Sequence, residues 1–246
     1  MRRFAPLALA ASLALPVQAQ EMSDAERDSF RAEVRAYLLE NPEVLMEAIG
    51  VLEAREANEA QQRDVAMVAA HADQLFDSPT SFVGGNPEGD FTIVEFLDYR
   101  CGYCKRAHPE VAALVAEDAN IRYVIKELPI LGEESMLAAR YALAVQQVAG
   151  DDVYYEVHNT LMAFQGNIST ASLSRVSTAF GLDHDAVTVE MSGVAVSETI
   201  AENRELAQNL AISGTPSFVF EDQMLRGYVP LSQMQQIIAQ LRADEG

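Results

Sequence analysis

The chain of 246 residues carries 37 acidic and 17 basic side chains, so its net charge at pH 7 is −20. Such a charge repels nucleic acid and anionic membranes, which makes both poor partners. The hydrophobic content of 49% is ample for the core of one elaborated domain, or of one domain with an appendage. Two cysteines are too few for a framework of stabilising disulfides.

Residues 1–19 have the pattern of a secretory signal peptide. Two arginines precede an apolar run over residues 4–17, and Ala19 ends a segment with the small residues of a cleavage site. The run is shorter than the roughly 20 residues that cross a membrane. The mature protein is therefore expected to start near Gln20 and to reach a compartment outside the cytoplasm that permits disulfides.

Residues 20–76 are predicted to form a helical arm. Ser23 and Glu26 have the form of a capping box, and apolar residues follow at helical spacing. Asn41-Pro42 should end this helix and start a second one, with the asparagine as its N-cap. In the second helix a stripe of apolar residues precedes a segment, residues 53–64, that has no large apolar side chain. The stripe consists of Leu45, Ala48, Ile49 and Leu52.

The segment 53–64 is predicted to be a stalk, because a helix that is polar on every side is exposed on every side. It would lift the apolar stripe away from the rest of the protein. An exposed apolar stripe needs a partner, and the simplest partner is a second copy of the chain. The alternative is that the arm folds back on its own domain.

Residues 77–246 are predicted to form the main domain, with the glycine- and proline-rich loop 77–90 as its boundary. Apolar runs over residues 91–97 and 121–125 indicate buried strands on either side of a helix, so the strands should be parallel. A short strand at Phe82-Val83 is expected to precede them. Residues 135–210 show only helical periodicity, and the chain then returns to a hairpin over 217–227 and a final amphipathic helix over 231–241.

Both cysteines lie in the sequence Cys101-Gly102-Tyr103-Cys104, where the first buried strand meets the next helix. A thiolate there lies beside the unpaired N–H groups of the first helical turn, and Arg100, Lys105 and Arg106 are expected to surround it with cations. Such sites lower a cysteine pKa from about 8.5 to roughly 3.5–7.5. Cys101 is therefore the predicted attacking sulfur, and the more buried Cys104 the resolving one.

Two other interpretations of the C-x-x-C spacing stay open on the residues alone. A zinc site needs four ligands, but the chain has no third cysteine, and of its four histidines only His108 is near the pair. His71, His158 and His184 lie in segments that are predicted to be helix surface. We predict no metal site. A structural disulfide without a redox role is the second alternative.

The segment Val94 to Lys105, V-E-F-x-D-Y-x-C-G-Y-C-K, and Gly214-Thr215-Pro216 resemble the thioredoxin superfamily and, within it, the bacterial periplasmic Dsb proteins. The resemblance implies that Pro216 follows a cis peptide bond and lies against the cysteine pair. It also implies that Glu95 is a buried acid that accepts a proton from the resolving cysteine. Without the resemblance, Pro216 could simply open a strand, and Glu95 could face an edge.

The helical block, about residues 130–212, is placed like the helical insertion of DsbA-type proteins. The predicted fold class is thus α/β, a thioredoxin fold with a helical insertion and an N-terminal helical oligomerisation arm. The arm sequence Y-L-L-E-N-P-E-V-L, residues 37–45, is similar to the N-terminal segment of the ScsC proteins, a Dsb branch that includes trimers. This similarity favours a homo-oligomer, with a trimer as the expected form.

The resemblance implies a periplasmic thiol–disulfide oxidoreductase that needs no small-molecule cofactor, because the cysteine pair carries the electrons. Its expected partners are unfolded or misoxidised secreted proteins, whose backbone Thr215-Pro216 would hold beside Cys101, and a membrane redox partner that resets the pair. The residues Gly102, Tyr103 and Lys105 are expected to tune the pair or contact substrate.

Gly102-Tyr103 resembles the dipeptide of the isomerase DsbC, as does a threonine before the proline, so isomerase or reductase is favoured over a DsbA-like oxidase. Two non-enzymatic alternatives remain. The C-x-x-C pair could carry Cu(I) through two thiolates, in line with the copper link of the ScsC family. The oligomer could instead act as a holdase or scaffold.

Overall fold

The computed structural model describes residues 22–244. The predicted signal peptide, residues 1–19, lies outside the described residues. The chain divides into two compact units between Glu56 and Ala57. Residues 57–76, predicted as part of the arm, fall in the second unit, where Val68 and Leu75 are buried in the core.

The first unit contains helix α1 (Asp24–Glu40) and the first half of helix α2 (Glu43–Ala70). The predicted capping box is confirmed, since Ser23 accepts the N–H of Glu26 and the carboxylate of Glu26 accepts the N–H of Ser23. The prediction for Asn41 is wrong. Its side chain donates to the carbonyl of Tyr37 at 2.9 Å, beside the backbone N–H of Asn41 that the same carbonyl accepts at 2.8 Å, and so caps the C-terminus of α1.

The second unit is built on a sheet of order β1-β3-β2-β4-β5. In chain order its strands are β1 (Phe82–Gly85), β2 (Phe91–Leu97), β3 (Ile121–Glu127), β4 (Ser217–Phe220) and β5 (Gln223–Arg226). The pair β2–β3 is parallel, as predicted, and the remaining neighbours are antiparallel. The predicted short strand and the C-terminal hairpin are likewise confirmed.

The helices of the second unit follow the predicted order. Helix α3 (Ala72–Phe76) follows α2, α4 (Gly102–Glu117) connects β2 to β3, and α10 (Leu231–Asp244) ends the fold. The helical block between β3 and β4 comprises α5 (Glu133–Ala149), α6 (Asp151–Ala163), α7 (Thr170–Ala179), α8 (His184–Glu190) and α9 (Val194–Asn209). The predicted thioredoxin fold with a helical insertion is confirmed.

The central strands are covered on both faces, which explains their continuous apolar runs. Because side chains alternate along a strand, Ile93 and Leu97 of β2 face the core formed with α4 and the helical block. Val94 and Phe96 face a second cluster formed with α2, α3 and α9. Glu95 shares the face of Ile93 and Leu97, and its side chain therefore lies under α4.

Among residues 22–244, no helix has the length and apolar character that a membrane span requires.

Candidate functional site

Cys101 is the N-cap of α4, as the strand-to-helix junction predicts. Its sulfur accepts the N–H of Cys104 at 3.4 Å, and its thiol donates to the carbonyl of Thr215 at 3.1 Å. The residue is 7% exposed, whereas Cys104, one turn further along, is fully buried. An incoming disulfide therefore meets Cys101 first.

Hydrogen bonds make Cys101 acidic. The bond between the two cysteine side chains is the largest contribution that lowers the pKa of Cys101 to about 5. Burial opposes it, and the side chain of Thr215 and the N–H groups of Cys104 and Tyr103 lower the pKa further. At neutral pH Cys101 is mainly a thiolate, the nucleophilic form.

The predicted ring of cations does not form around Cys101. Arg100 pairs with Glu134 at 3.2 Å and also donates to a carbonyl of the helical block. The ammonium of Lys105 donates to the carbonyl of Phe164. Arg106 lies over the ring of Tyr228, 4.3 Å from its centroid. That prediction was wrong because each side chain finds a long-range partner that is not visible in local sequence.

The resolving side of the pair contains a buried acid. Glu95 is 1% exposed, so the edge-facing alternative is excluded. Its Oε2 accepts the hydroxyl of Tyr123, and its Oε1 is buried without a partner among the described residues. Burial raises the pKa of Glu95 to about 7, and burial also raises the pKa of the Cys104 thiol. A carboxyl that titrates near neutral pH can exchange a proton with such a thiol.

The loop before β4 lies against Cys101. The bond between Thr215 and Pro216 is cis, Pro216 is buried, and the Pro216 carbonyl accepts the N–H of Gly227. Beside the pair, Gly102 and Tyr103 face solvent, and Tyr103 is 62% exposed. An approaching polypeptide would therefore meet Tyr103 and the Thr215 loop on its way to Cys101.

Asp98, which sequence reasoning missed, orders the turn before Cys101. One carboxylate oxygen accepts the N–H of Arg100 at 2.7 Å, and the other accepts the N–H groups of Ile130 and Leu131 at 2.9 and 3.1 Å. This single side chain holds the active-site turn to the loop that follows β3. An acid directly after a buried strand and just before the cysteines is the signal that could have found it.

The histidines differ from their prediction in one important respect. His158 was expected on a helix surface but is fully buried, with Nδ1 3.1 Å from the hydroxyl of Tyr99. The ring of His108 lies 5.1 Å from the ring of His158. Over residues 22–244, no group of three or more His, Cys, Asp or Glu side chains is arranged to hold a metal ion.

Two protein families match the sequence of this chain, and both agree with the geometry of the site and the fold. Residues 92–239 match the family of DSBA-like thioredoxin domains. The chain belongs to this family. Residues 26–59 match a second family, the N-terminal domain of the copper resistance protein ScsC. The suspected relationship to DsbA-like proteins of the ScsC type is thereby confirmed.

Solved structures support the same assignment. A thioredoxin-like oxidoreductase from Silicibacter pomeroyi is 44% identical, with a TM-score of 0.66 over 70% of this chain and 97% of that one. A linker-deletion mutant of Proteus mirabilis ScsC is 26% identical, with a TM-score of 0.67 over 92% and 100%. A periplasmic thioredoxin-like protein from Salmonella enterica serovar Typhimurium is 28% identical, with a TM-score of 0.60 over 69% and 94%.

A curated relative is much longer than the matching region. The Na(+)/H(+) antiporter NhaA 1 of Salinispora arenicola is 33% identical over 143 residues, which are 58% of this chain and 22% of the antiporter. The chain thus spans about a fifth of the length of that relative. Because the match covers so little of the antiporter, it gives no reason to assign ion transport to this DSBA-like protein.

Proposed function

We propose that this DSBA-like protein is a periplasmic disulfide isomerase or reductase that works as a homo-oligomer. The observation that carries the proposal is the acidity of Cys101, whose pKa is lowered to about 5 by its hydrogen bonds. The attacking cysteine of the oxidase DsbA has a pKa of about 3.5 and that of thioredoxin about 7. A thiolate between these values stays nucleophilic at neutral pH and is less strongly stabilised than in the oxidase.

The exchange starts when the Cys101 thiolate attacks one sulfur of a client disulfide. A mixed disulfide forms, and the other client sulfur leaves as a thiolate. Isomerisation follows when a second client thiolate attacks the mixed disulfide, which returns Cys101 without net oxidation. Reduction follows when Cys104, after passing its proton to Glu95, attacks Cys101 and releases the client with two reduced cysteines.

Thr215 and Pro216 are the proposed client-binding residues. The carbonyl of Thr215 already lies 3.1 Å from the sulfur of Cys101. An extended client backbone beside this loop would place its own disulfide at the same sulfur. Gly102 and Tyr103, both exposed next to Cys101, are the proposed contacts for client side chains. A membrane reductase that resets the pair is the proposed redox partner.

The homo-oligomer is proposed from the arm, residues 20–76. Helix α1 has no buried residue, although Phe30 is 60% and Tyr37 55% exposed. In α2 the stripe residues Leu45, Ile49 and Leu52 are 48%, 47% and 56% exposed. Apolar surface of this extent marks an association site. The match to the ScsC N-terminal domain and the resemblance to its trimeric members favour a trimer.

The periplasmic location is proposed from two observations. Residues 1–19 have the pattern of a signal peptide. The similar protein of Salmonella enterica is described as periplasmic.

Refolding of a scrambled disulfide-bonded protein tests the proposal. The reduced protein is expected to restore activity to the scrambled substrate without added oxidant, and Cys101→Ser is expected to restore none. Oxidation of a reduced substrate without refolding of the scrambled one would identify a DsbA-like oxidase instead. The matched control is Tyr141→Phe, which removes a buried hydroxyl of α5 that hydrogen-bonds to the hydroxyl of Ser177.

Copper binding is a second candidate because of the copper resistance family that residues 26–59 match. Two thiolates are suitable ligands for Cu(I). Burial raises the pKa of Cys104, however, so coordination by both sulfurs must overcome the cost of ionising that thiol. Titration of the reduced protein with Cu(I) against glutathione decides this point, because binding no tighter than that of glutathione would exclude a carrier role.

A further inference from the structure

A loop of the helical block lies beside the redox pair and takes no part in the exchange steps above. This α6–α7 loop, residues 164–168, connects α6 to Ser169, the N-cap of α7. Residues 165–167 are exposed, whereas Ile168 is buried in the core and fixes one end of the loop. The loop therefore presents its middle part to solvent from a fixed base.

Two basic residues that flank the C-x-x-C segment hold this loop. Arg100, directly before the segment, donates from Nη1 to the carbonyl of Gly166 at 2.8 Å. Lys105, directly after the segment, donates from its ammonium to the carbonyl of Phe164. Because both contacts start at the ends of the C-x-x-C segment, the loop lies within one side-chain length of the active site.

Glu134, in the first turn of α5, completes a closed ring of contacts around Arg100. Its Oε2 lies 3.2 Å from Nε of Arg100 and accepts the N–H of Ile168 at 3.0 Å. Gly166, whose carbonyl Arg100 reaches, has a φ of 95°, a conformation that favours glycine. Loss of either charged side chain breaks two of the contacts in this ring, so either loss should loosen the loop.

The exposed part of the loop offers hydrogen-bonding groups to a polypeptide. Gln165 and Asn167 are both exposed, and an amide side chain can donate to and accept from a peptide backbone. An extended client segment carries N–H and C=O groups along both of its edges. If one edge lies against the loop of Thr215 beside Cys101, the other edge is free to meet these amides.

We propose that Arg100 is a positioning residue that holds the α6–α7 loop as a second client-contacting surface, on which Gln165 and Asn167 hydrogen-bond to an extended segment of the client. The surface fits unfolded chains of varied sequence, because the groups that it recognises belong to the backbone. A folded client fits it poorly, because the backbone groups of a folded protein are already paired. Arg100 thereby acts on client binding and not on the sulfur.

The inference rests on the thiol–disulfide exchange proposed above, but it is independent of whether exchange ends in isomerisation or oxidation. The test follows the reduced full-length mature protein in a single turnover with an excess of disulfide. One substrate is an unstructured peptide closed by one disulfide, and the other is hydroxyethyl disulfide, which is too small to contact the sulfur and the loop together. Each substrate takes two electrons from the Cys101–Cys104 pair, which closes its own disulfide.

Arg100→Gln is expected to raise the half-saturating concentration of the peptide about three- to tenfold, because only molecules with the loop in place bind the peptide fully. The limiting rate with the peptide, and the second-order rate constant with hydroxyethyl disulfide, should stay within about twofold of the wild type. Glu134→Gln should act in the same direction. The double variant should be no worse than the stronger single variant, because the two side chains hold the loop as one unit.

The matched control is Arg242→Gln. Arg242 of α10 is as exposed as Arg100, with 32% and 33% of their side chains accessible, and it pairs with Asp118 and Asp90. Asp118 follows the C-terminal end of α4, whereas Cys101 caps the N-terminal end. The control therefore removes a paired arginine far from the loop, and its half-saturating concentration should follow the wild type.

Equal half-saturating concentrations for the wild type and Arg100→Gln would overturn the proposal, as would an equal rise in Arg242→Gln. A double variant whose rise is the product of the two single rises would show that Arg100 contacts the peptide by itself. An equal loss of rate with hydroxyethyl disulfide would place the effect on the sulfur. A wild type that reduces neither substrate would end the proposed function as well, whereas normal exchange with an unmoved half-saturating concentration overturns only the role of the loop.

Discussion

Strand β2 buries its apolar side chains, whereas helix α1 leaves its apolar side chains exposed. In β2, six of seven residues are buried, with Thr92 as the exception. Helix α1 spans 17 residues and has none buried, although Phe30 and Tyr37 are large and apolar. The second unit, called the redox unit below, therefore contains its own core, whereas helix α1 gains hydrophobic stabilisation only when something covers it. The redox reaction and oligomerisation therefore depend on different parts of the sequence. A substitution should affect one of them and leave the other unchanged.

The largest expected effect comes from the redox unit. Cys101→Ser removes the attacking thiolate, so reduction of a protein disulfide should fall to the uncatalysed background, while the mass in solution stays unchanged. Cys104→Ser is the matched variant. It retains the attacking sulfur but lacks the resolving one, so mass spectrometry should detect an accumulated mixed disulfide with the client. Full activity of Cys101→Ser would exclude Cys101 as the nucleophile.

A substitution in the arm should change the oligomeric state and leave the redox reaction itself unchanged. Ile49→Glu places a charge in the apolar stripe and is expected to weaken association by about 2–4 kcal/mol, the range of a strong interface residue. The mass in solution and the refolding of scrambled substrate should fall, while reduction of a small disulfide per active site stays unchanged. Val51→Glu is the control, because Val51 is 52% exposed but lies off the stripe. Equal effects of both substitutions would show that the stripe is not the interface.

Within the redox unit, the two buried acids should make stability depend on pH. Burial raises the pKa of Glu95 to about 7 and that of Glu127 to about 8, whereas both carboxyls titrate near 4.3 in an unfolded chain. The folded state then holds protons that the unfolded state releases, so the free energy of unfolding should fall from about pH 5 through pH 8, by at most about 1.4 kcal/mol per pH unit for each acid.

Denaturant unfolding of the oxidised protein checks this prediction, because the disulfide removes the opposite contribution of the acidic Cys101. Glu95→Gln should show a shallower fall in the free energy of unfolding below pH 7. Buried His158, whose pKa is lowered to about 3 by burial, contributes a rise below about pH 6.5, so the decisive range lies above that pH. A free energy of unfolding that does not fall between about pH 6.5 and pH 8 would contradict the raised pKa values of the two carboxyls.

The smallest effect is expected at Thr215. Hydrogen bonding by the Thr215 side chain, as distinct from its carbonyl, is one of several contributions that lower the pKa of Cys101 to about 5, and the bond between the two cysteines is larger. Thr215→Val keeps the shape of the side chain and should raise the midpoint of thiolate absorbance by up to about one pH unit. The arm should not respond, so an altered mass in solution would show that the two regions are coupled.

The parts of the site that sequence could predict are local. The β2 run, the cysteine spacing and the proline of the loop lie in short segments whose periodicity or motif is visible in the chain. Glu127, in contrast, acquires its partners from Tyr99 and Tyr154, 28 and 27 residues away. His158 was assigned to a surface because a helix alone does not show which face the rest of the fold covers.

The prediction of cations around Cys101 failed for the same reason, because the partners of these side chains are distant in sequence. Arg100, Lys105 and Arg106 are close to Cys101 in sequence, and short-range reasoning placed their charges around its sulfur. Arg100 instead pairs with Glu134 of α5. Contacts of this kind depend on the packing of the helical block against α4, which sequence periodicity does not specify.

The most direct test of the account is the reduction potential of the Cys101–Cys104 pair in glutathione buffers, with the mass in solution determined on the same sample. The account predicts an oligomer whose potential lies between about −120 mV, the value of DsbA, and about −270 mV, that of thioredoxin, and near the −180 mV of protein disulfide isomerase. A potential at the DsbA value on a monomeric protein would contradict it. Such a protein would donate its disulfide, and the exposed stripe of the arm would have no part in the exchange.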